Sequence, residues 1–246
     1  MKTSIARQLI GINRSFYDSF AESWSKSRVP MHRGIVRSFE KLHPAGHLLD
    51  LGCGDGRVGF WAAENLESSG LQSYLGADYS SALLGQHFHA ANAPEQSISF
   101  ICADITATHW VDRVAAHRKQ FDSATFFSAL HHIPGPRRRL RLMQALQSLL
   151  PHGGRCAVSV WQLSHVPRLQ KKIRPWSEVG IATSSVEASD FLVDWKMGGA
   201  GLRYVHEFTE DELRGLCIRA GFSIEDVYRS DGQTGDMGLY CILKKP

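Results

Sequence analysis

Short apolar segments alternate with amphipathic segments through the middle of this chain. Runs rich in apolar and β-branched residues predict five buried strands, at residues 48–51, 74–77, 98–102, 123–127 and 156–161. Between these runs, apolar residues recur at helical spacing and predict helices at about 58–66, 82–91, 111–117 and 138–150. Strands that alternate with helices form a parallel sheet with right-handed crossovers, so this pattern predicts a doubly wound α/β fold.

The C-terminal part of the chain has a different pattern. Thr209 and the acids at 210–212 predict the start of a helix that runs to Gly221. Two further strands, at 224–228 and 239–243, lie on either side of a polar loop and predict an antiparallel hairpin at the sheet edge. The complete sheet is therefore expected to have seven strands and to be mostly parallel.

Two segments are added to this core. An N-terminal helix is predicted by apolar residues at helical spacing, which are Ile5, Leu9, Ile12, Phe16, Phe20 and Trp24. Residues 164–201 contain Pro167, Pro175 and several Gly and Ser residues, and this composition predicts an irregular inserted lid. We expect a single domain over 1–246, with an N-terminal helical cap at 1–45, a core at 46–161, the inserted lid at 162–206, and a C-terminal helix and hairpin at 207–246.

Composition narrows the classes of protein that are possible. A chain of 246 residues with 43% hydrophobic residues can bury the core of one domain. The five cysteines form no C-x-x-C pair, so the sequence indicates neither a zinc site nor a disulfide framework, and a reducing cytoplasm is expected. No apolar run is long enough to span a bilayer, so no membrane partner is expected. The net charge of +4 does not establish nucleic-acid binding by itself.

A glycine-rich turn with the sequence LLDLGCGDG, at 48–56, follows the first predicted strand. Glycines between a strand and a helix let a ligand approach the backbone. Asp50 and Asp55 would repel a pyrophosphate, whereas a ligand with an amino group and a sulfonium, such as S-adenosylmethionine, would gain from negative charge. Residues 54–59 also match the dinucleotide pattern G-x-G-x-x-G, which leaves a dehydrogenase as an alternative. In that fingerprint the first glycine directly ends the strand, whereas here the turn opens at Gly52.

This turn resembles motif I of the class I S-adenosylmethionine-dependent methyltransferases, and the order of elements resembles their Rossmann-like fold over 46–161 and 208–245. Asp78 ends the second predicted strand, where a carboxylate can accept from both ribose hydroxyls; a helix N-cap is the alternative. The resemblance implies that Asp104 accepts from the adenine amino group; capping of the following turn is the alternative. The cofactor-binding residues expected in this core are Asp50, Gly52, Cys53, Gly54, Asp78, Tyr79, Asp104, Ile105 and Ser128.

Residues 127–132, FSALHH, follow the fourth predicted strand and resemble motif IV of the same enzymes, which lies between cofactor and substrate. His131 is a candidate base, and a structural histidine bonded to backbone is the alternative. A metal site is not expected, because adjacent histidines point in different directions and no acidic partner motif is evident.

A second resemblance is more specific. Residues 17–28, YDSFAESWSKSR, are similar to the N-terminal signature of the tRNA wobble-uridine methyltransferases that esterify a carboxymethyl group. The resemblance implies that Arg28 holds the carboxylate of S-adenosylmethionine and that Tyr17 and Trp24 close over its methionine end. Residues 203–206, RYVH, followed by Glu212 and Leu213, resemble the same family's R-Y-x-H block, and residues 191–195 resemble a preceding tryptophan block. The sequence departs from the family pattern at Asp194 and Asp211.

The candidate substrate residues in these blocks are Trp195, Arg203, Tyr204 and His206, and the candidate catalytic residues are Arg203, His206 and His131. A carboxylate acceptor is already an anion at neutral pH and needs no strong base, so an arginine fork that orients it is sufficient. Structural pairing of Arg203 with Glu207 is the alternative.

Three functions remain open at this point, beside the dehydrogenase alternative. The first is methylation of a carboxymethylated wobble uridine in tRNA. In this function the basic residues near 137–141 and 168–174 would bind tRNA phosphates, and the resemblance implies a small activator subunit, which such enzymes often need. The second is methylation of a small metabolite or carboxylic acid. The third is an inert cofactor-binding subunit.

Overall fold

The computed structural model describes residues 1–27, 31–65, 70–86, 97–118 and 120–246. The α-helices are α1 (Thr3–Lys26), α2 (Arg33–Leu42), α3 (Arg57–Asn65), α4 (Ser81–Leu84), α5 (Trp110–His117), α6 (Pro136–Ser148), α7 (Pro167–Gln170) and α8 (Glu210–Arg219). The strands are β1 (Gly46–Leu51), β2 (Leu71–Asp78), β3 (Ser97–Cys102), β4 (Ser123–Phe127), β5 (Arg155–Trp161), β6 (Ile173–Arg174), β7 (Asp190–Trp195), β8 (Gly201–His206), β9 (Ser223–Ser230) and β10 (Gly238–Lys244).

The main sheet has seven strands in the order β3-β2-β1-β4-β5-β10-β9. Strands β1 to β5 pair in parallel, whereas β10 is antiparallel to both β5 and β9. This arrangement confirms the predicted mostly parallel α/β sheet with an antiparallel C-terminal hairpin. Because β10 inserts between β5 and β9, the first strand of the hairpin forms the sheet edge.

Apolar cores cover both faces of this sheet. One core packs α5, α6 and α8 against the strands through residues such as Leu142 and Leu216. The other packs α2 and α3 against the opposite face through residues such as Phe39 and Ala62. A parallel sheet that is buried on both faces leaves the carboxyl ends of its strands as the natural place for a ligand.

Most of the predicted elements appear within a few residues of the expected bounds. Of the helix expected at 82–91, the structure shows Ser81–Leu84, and positions 87–91 lie outside the described residues. Position 66, the expected end of the preceding helix, also lies outside them. No helix in the described ranges is long and apolar enough to cross a membrane.

The segment expected to form an irregular lid contains regular structure. Strands β6, β7 and β8 form a separate antiparallel sheet in that order. Gly198 and Gly199, with φ of 77° and 140°, make the tight connection between β7 and β8. Of the prolines that suggested irregularity, Pro167 begins α7 and Pro175 lies just after β6, whereas 190–195 and 201–206 keep a strand pattern.

Helix α1 lies across both sheets. Its residues Phe16 and Phe20 press against β8 so closely that a Cβ at Gly201 would lie 2.6 Å from the Phe20 ring. The backbone of Phe20 is non-helical, with φ of −118° and ψ of 16°, and it kinks the helix. This kink turns the last residues of α1 toward the glycine-rich turn after β1.

Candidate functional site

A cleft lies at the carboxyl ends of β1 to β4, under α1. It brings together the predicted cofactor residues Tyr17, Asp50, Gly52, Cys53, Gly54, Asp78, Tyr79, Asp104, Ile105 and Ser128, and Trp24 also borders it. Arg28, the remaining predicted residue, lies outside the described residues. The residues come from several strand ends and from one helix, as expected for a ligand site in an open α/β sheet.

The floor of the cleft is the turn between β1 and α3. Gly52, Gly54 and Gly56 have φ of 64°, 59° and 68°, a left-handed conformation that favours glycine. A Cβ at Gly54 would lie 3.0 Å from the ring of Trp24, which forms the opposite wall. The turn therefore presents bare backbone to any ligand that enters between β1 and α1.

Asp78 is the best-placed acid in the cleft. Its Oδ2 accepts from the Gly54 N–H at 2.9 Å and its Oδ1 accepts from the Ser80 N–H at 2.9 Å, so it joins the glycine turn to the end of β2. The N-cap of α4 is Ser80, whose side chain accepts from Leu83, so the alternative of an N-cap role for Asp78 is wrong. Each oxygen of Asp78 keeps a lone pair, and the carboxylate can accept two more donors.

Burial raises the pKa of Asp78 to about 6, although its backbone hydrogen bonds oppose the shift. A ligand whose hydroxyls donate to this carboxylate binds the ionised form more tightly. We therefore expect the affinity for S-adenosylhomocysteine to fall about tenfold for each pH unit below about 6. Calorimetric titration across this pH range measures the effect. A flat pH profile would contradict a contact between the ligand and this carboxylate.

Asp50 lies deeper, in the sheet. Its carboxyl accepts from the Tyr74 hydroxyl at 2.6 Å and the Thr125 hydroxyl at 2.8 Å, and burial raises its pKa to about 7. Asp55 forms an ion pair with Arg57. The expectation that Asp50 and Asp55 supply the negative charge of the cleft is therefore revised, because one is partly neutralised by a proton and the other by a cation.

Asp104 follows β3 by two residues, at the far end of the cleft. Its Oδ1 accepts from the N–H and the hydroxyl of Thr106, at 2.9 and 2.6 Å, and its Oδ2 forms an ion pair with Arg14 of α1. The turn-capping alternative is therefore present in the structure. The Arg14 pair was not predicted from the sequence.

The segment after β4 forms the opposite end of the cleft. Ser128 has a φ of 52°, a strained conformation for a residue other than glycine, and it borders the cleft. Of the two histidines that follow, His132 borders the cleft, whereas His131 is fully buried behind it against Trp161. The structure thus brings His132, and not the predicted His131, to the site.

His132 has a defined tautomer. Its Nδ1 lies 2.8 Å from the carbonyl oxygen of Tyr204, which can only accept, so this nitrogen carries the proton. In the neutral imidazole its Nε2, at 2.8 Å from the Tyr17 hydroxyl, is then the acceptor of the phenol proton. Asn13 joins the same region of α1 to β8, because its side chain bonds both the N–H and the carbonyl of Tyr204.

Arg203 lies one side chain behind the cleft wall. Only 2% of the residue is exposed, and its Cζ lies 4.7 Å from the ring centre of Phe16, 4.9 Å from Trp161 and 5.1 Å from Trp195. In the part of the chain that the structure describes, its Nε and Nη1 have no hydrogen-bond partner. Burial lowers the pKa of Arg203, whereas Tyr17 and Asp194 raise it.

The alternative partner of Arg203 is engaged elsewhere. Glu207 accepts from the backbone and the hydroxyl of Ser164, at 2.8 and 2.7 Å. Pairing of Arg203 with Glu207 is therefore not what the structure shows.

Tyr204 and His206 do not reach the cleft, contrary to the prediction that they complete a substrate pocket. Their side chains point to the other side of β8, where both bond Asp190 Oδ1 at 2.8 Å, and His206 Nε2 also bonds Glu212 at 2.9 Å. Arg139 joins this buried network through ion pairs with Glu187 and Glu212. The network links the β6–β8 sheet to α6 and α8.

Arg139 is buried and already forms ion pairs with Glu187 and Glu212, so its guanidinium is not available to a phosphate as the sequence suggested. Trp195 is buried beside Phe16 in the wall of a second groove between α1 and β8, and not in the cleft. Within the described residues, the only group with metal-ligand spacing is Glu187, Asp190 and His206, and in it Glu187 already forms an ion pair with Arg139.

The network predicts a pH-dependent stability. Burial alone would lower the pKa of His206, but the hydrogen bonds to Asp190 and Glu212 outweigh it and raise the pKa. The stabilisation is therefore complete below the unfolded pKa of about 6.5 and is lost as the pH rises through the folded value. We expect His206→Gln to lower the free energy of unfolding by about 2 kcal/mol at pH 6 and to remove this slope.

Urea unfolding between about pH 6 and pH 9 measures this effect. His109, whose side chain is 85% exposed, provides the matched control His109→Gln. An equal slope in wild type and His206→Gln would show that the network does not hold a protonated histidine.

Residues 23–227 match the family model described as a methyltransferase domain, so the chain belongs to that family. It is an S-adenosylmethionine-dependent methyltransferase of the class I fold. A protein of Encephalitozoon cuniculi named as a methyltransferase is 26% identical over 232 residues, which cover 94% of this chain and 93% of that protein.

Two solved structures share the fold at lower identity. One is the 1,6-didemethyltoxoflavin-N1-methyltransferase of Burkholderia thailandensis, with bound 1,6-didemethyltoxoflavin and S-adenosylhomocysteine. Its TM-score is 0.62 at 19% identity, and the match covers 98% of this chain and 89% of that chain. The other is a methyltransferase of Haloferax volcanii in complex with the Trm112 methyltransferase activator. Its TM-score is 0.65 at 13% identity, and the match covers 95% of this chain and 97% of that chain.

The cleft fits the cofactor of this class. S-adenosylmethionine supplies a methyl group on a sulfonium centre. The cleft offers bare backbone at Gly54, a buried carboxylate at Asp78 and the aromatic ring of Trp24, and these are groups that suit an amino-acid end, ribose hydroxyls and a sulfonium. Sequence reasoning missed Arg14 and Asn13, because their contacts depend on how α1 lies across the sheet, and it missed His132, because the turn after β4 decides which of the two histidines faces the cleft.

Proposed function

We propose that this methyltransferase transfers its methyl group to a carboxylate, and most concretely to a carboxymethyl group on a tRNA wobble uridine. The single observation that carries the proposal is the burial of Arg203 with unpaired hydrogen-bond donors. Its guanidinium is buried behind the cleft with two nitrogens that find no partner in the described ranges. A buried cation with two unpaired hydrogen-bond donors is costly, so a site that keeps one is suited to an anion that arrives from outside.

The surroundings of Arg203 support an anionic acceptor. Rings of Phe16, Trp161 and Trp195 hold the guanidinium in place by cation–π contacts. Trp161 also borders the cofactor cleft, so the guanidinium lies one ring away from it. A carboxylate is already ionised at neutral pH, and orientation relative to the sulfonium is then the main requirement for transfer.

We propose that the residues brought together in the cleft hold the cofactor as the resemblance implies. Asp78 accepts the ribose hydroxyls, Asp104 the adenine amino group, and Tyr17 and Trp24 cover the methionine end. The Tyr17 hydroxyl donates to His132, which fixes the orientation of the phenol. Arg28 is proposed to hold the cofactor carboxylate.

The RNA part of the proposal is supported by the sequence resemblance and by basic residues that are exposed or half-buried. Lys171 and Lys172 lie in the turn after α7, and Arg137 and Arg138 lie in the first turn of α6. The Haloferax volcanii complex supports the further proposal that a small activator subunit binds this chain. One observation favours a small carboxylic acid instead: Arg139, in the middle of the α6 basic cluster, is buried and paired.

The test is a methyl-transfer assay with S-adenosylmethionine labelled in its methyl group. The chain is assayed with and without an activator subunit of the Trm112 type, and two kinds of acceptor are supplied separately. One acceptor is an anticodon stem-loop with 5-carboxymethyluridine, and the other is a panel of small carboxylic acids. We expect the label to enter the stem-loop and to be released by mild alkali, because a methyl ester is hydrolysed under these conditions. Label in small acids alone would support the second function, and alkali-stable label would contradict a carboxylate acceptor.

A further inference from the structure

Arg14 contacts the end of the cleft where the adenine of the cofactor is proposed to bind. Its guanidinium forms an ion pair with Asp104 Oδ2 and lies 5.7 Å from the ring centre of Tyr79. Tyr79 in turn donates its hydroxyl to the carbonyl of Asn13 at 3.0 Å. One turn of α1 is therefore fixed on the residues that end β2 and β3.

The hydrogen-bonding capacity of Asp104 is nearly used up. Its Oδ1 already accepts two donors from Thr106, and Arg14 occupies Oδ2. A carboxylate oxygen accepts about two hydrogen bonds. An adenine amino group that donates to Asp104 must therefore share Oδ2 with the guanidinium or replace it.

We propose that Arg14 sets the cofactor affinity by competing with the adenine amino group for Asp104. This inference rests on the adenine-binding role of Asp104 in the proposed function. The Arg14 side chain is 44% exposed, so its guanidinium is readily hydrated once it leaves the carboxylate. Each cofactor or product molecule that binds then replaces an ion pair, which weakens its binding and favours release after turnover.

The exchange requires only a side-chain movement. Asn13 holds the same turn of α1 to the Tyr204 backbone at 2.7 and 3.1 Å, and Tyr17 bonds His132 at 2.8 Å. These bonds do not involve Asp104, and they keep α1 in place when Arg14 moves.

The experiment is a double-mutant cycle with calorimetric titration of S-adenosylhomocysteine into the full chain. The variants are Arg14→Ala, Asp104→Asn and the pair of changes together. We expect Arg14→Ala to bind about two- to fivefold tighter than wild type at low salt, with a smaller difference at high salt that screens the ion pair. In the Asp104→Asn background, Arg14→Ala should change the affinity less than about twofold.

Arg7, an exposed arginine on the same helix, provides the control Arg7→Ala, which should bind as wild type does. Weaker or unchanged binding by Arg14→Ala would overturn the inference, because Arg14 would then contact the cofactor itself or play no part. An equal gain in both Asp104 backgrounds would also overturn it. If wild type fails to bind S-adenosylhomocysteine, the cofactor assignment fails together with the inference.

Discussion

An Arg203→Met variant is expected to lose methyl transfer to a carboxylate acceptor while it keeps its fold and its cofactor affinity. A charge-assisted pair between a buried guanidinium and a carboxylate contributes about 3 kcal/mol, so the rate should fall on the order of 10²-fold or more. Methionine fills a similar volume among Phe16, Trp161 and Trp195 and leaves no orphaned charge. The transfer assay and thermal unfolding together measure the effect.

The stability measurement separates two roles of Arg203. If the guanidinium serves the acceptor, its removal should leave the melting temperature unchanged or raised. The cost of burying Nε and Nη1, which make no bonds within the described part of the chain, offsets the cation–π contacts of the guanidinium. Arg203→Lys keeps a charge but loses the planar fork, and it should recover only part of the rate. Arg214→Met, which breaks a surface pair with Glu210, is the matched control. Normal transfer by Arg203→Met would refute the carboxylate proposal.

The second large effect is expected at Asp78. Asp78→Asn should weaken S-adenosylhomocysteine binding on the order of 10²-fold, because the amide loses the charge that ribose hydroxyls favour. The amide can also accept only one of the two backbone N–H groups, from Gly54 and Ser80, that the carboxylate holds. Calorimetric titration measures the loss.

An exposed acid gives the comparison for Asp78. The side chain of Asp112 is 80% exposed on α5, and Asp112→Asn should bind S-adenosylhomocysteine as wild type does. The two variants make the same chemical change, so only the position differs. Equal binding by Asp78→Asn and wild type would show that the ribose lies elsewhere.

Much of the core and of the cleft floor could be predicted from the sequence. The strands of the main sheet are short apolar runs separated by helical periods, and this alternation permits few topologies. Gly54 and Asp78 follow directly from it, because the carboxyl ends of parallel strands meet at one edge. Asp50 shows the limit of this reasoning, since its charge depends on the hydroxyls of Tyr74 and Thr125, which come from other strands.

The substrate side could be predicted only in part. Residues 203–206 resemble one functional block, but side chains on a strand alternate between faces. Arg203 therefore faces the aromatic rings, whereas Tyr204 and His206 face Asp190 on the other side. If residues 201–206 are recognised as a strand, the alternation assigns Arg203 to one face and Tyr204 and His206 to the other. The sequence alone, read as an irregular lid, placed them together.

Arg139 was misplaced for a similar reason. Leu142, Met143 and Leu146 follow Arg139 by three, four and seven residues, and this helical spacing places all four side chains on the same buried face of α6. The helical period therefore carried the signal, and the neighbouring exposed arginines obscured it. The ion pairs with Glu187 and Glu212 could not be predicted, because they join segments that are distant in the chain.

The most direct test of the central claim is a calorimetric titration of the unmodified chain with S-adenosylhomocysteine and, separately, with NAD⁺ and NADH. The cleft of Gly54, Asp78 and Trp24 predicts one S-adenosylhomocysteine site per chain with micromolar affinity and no binding of either dinucleotide. Binding of a dinucleotide without binding of S-adenosylhomocysteine would contradict the account.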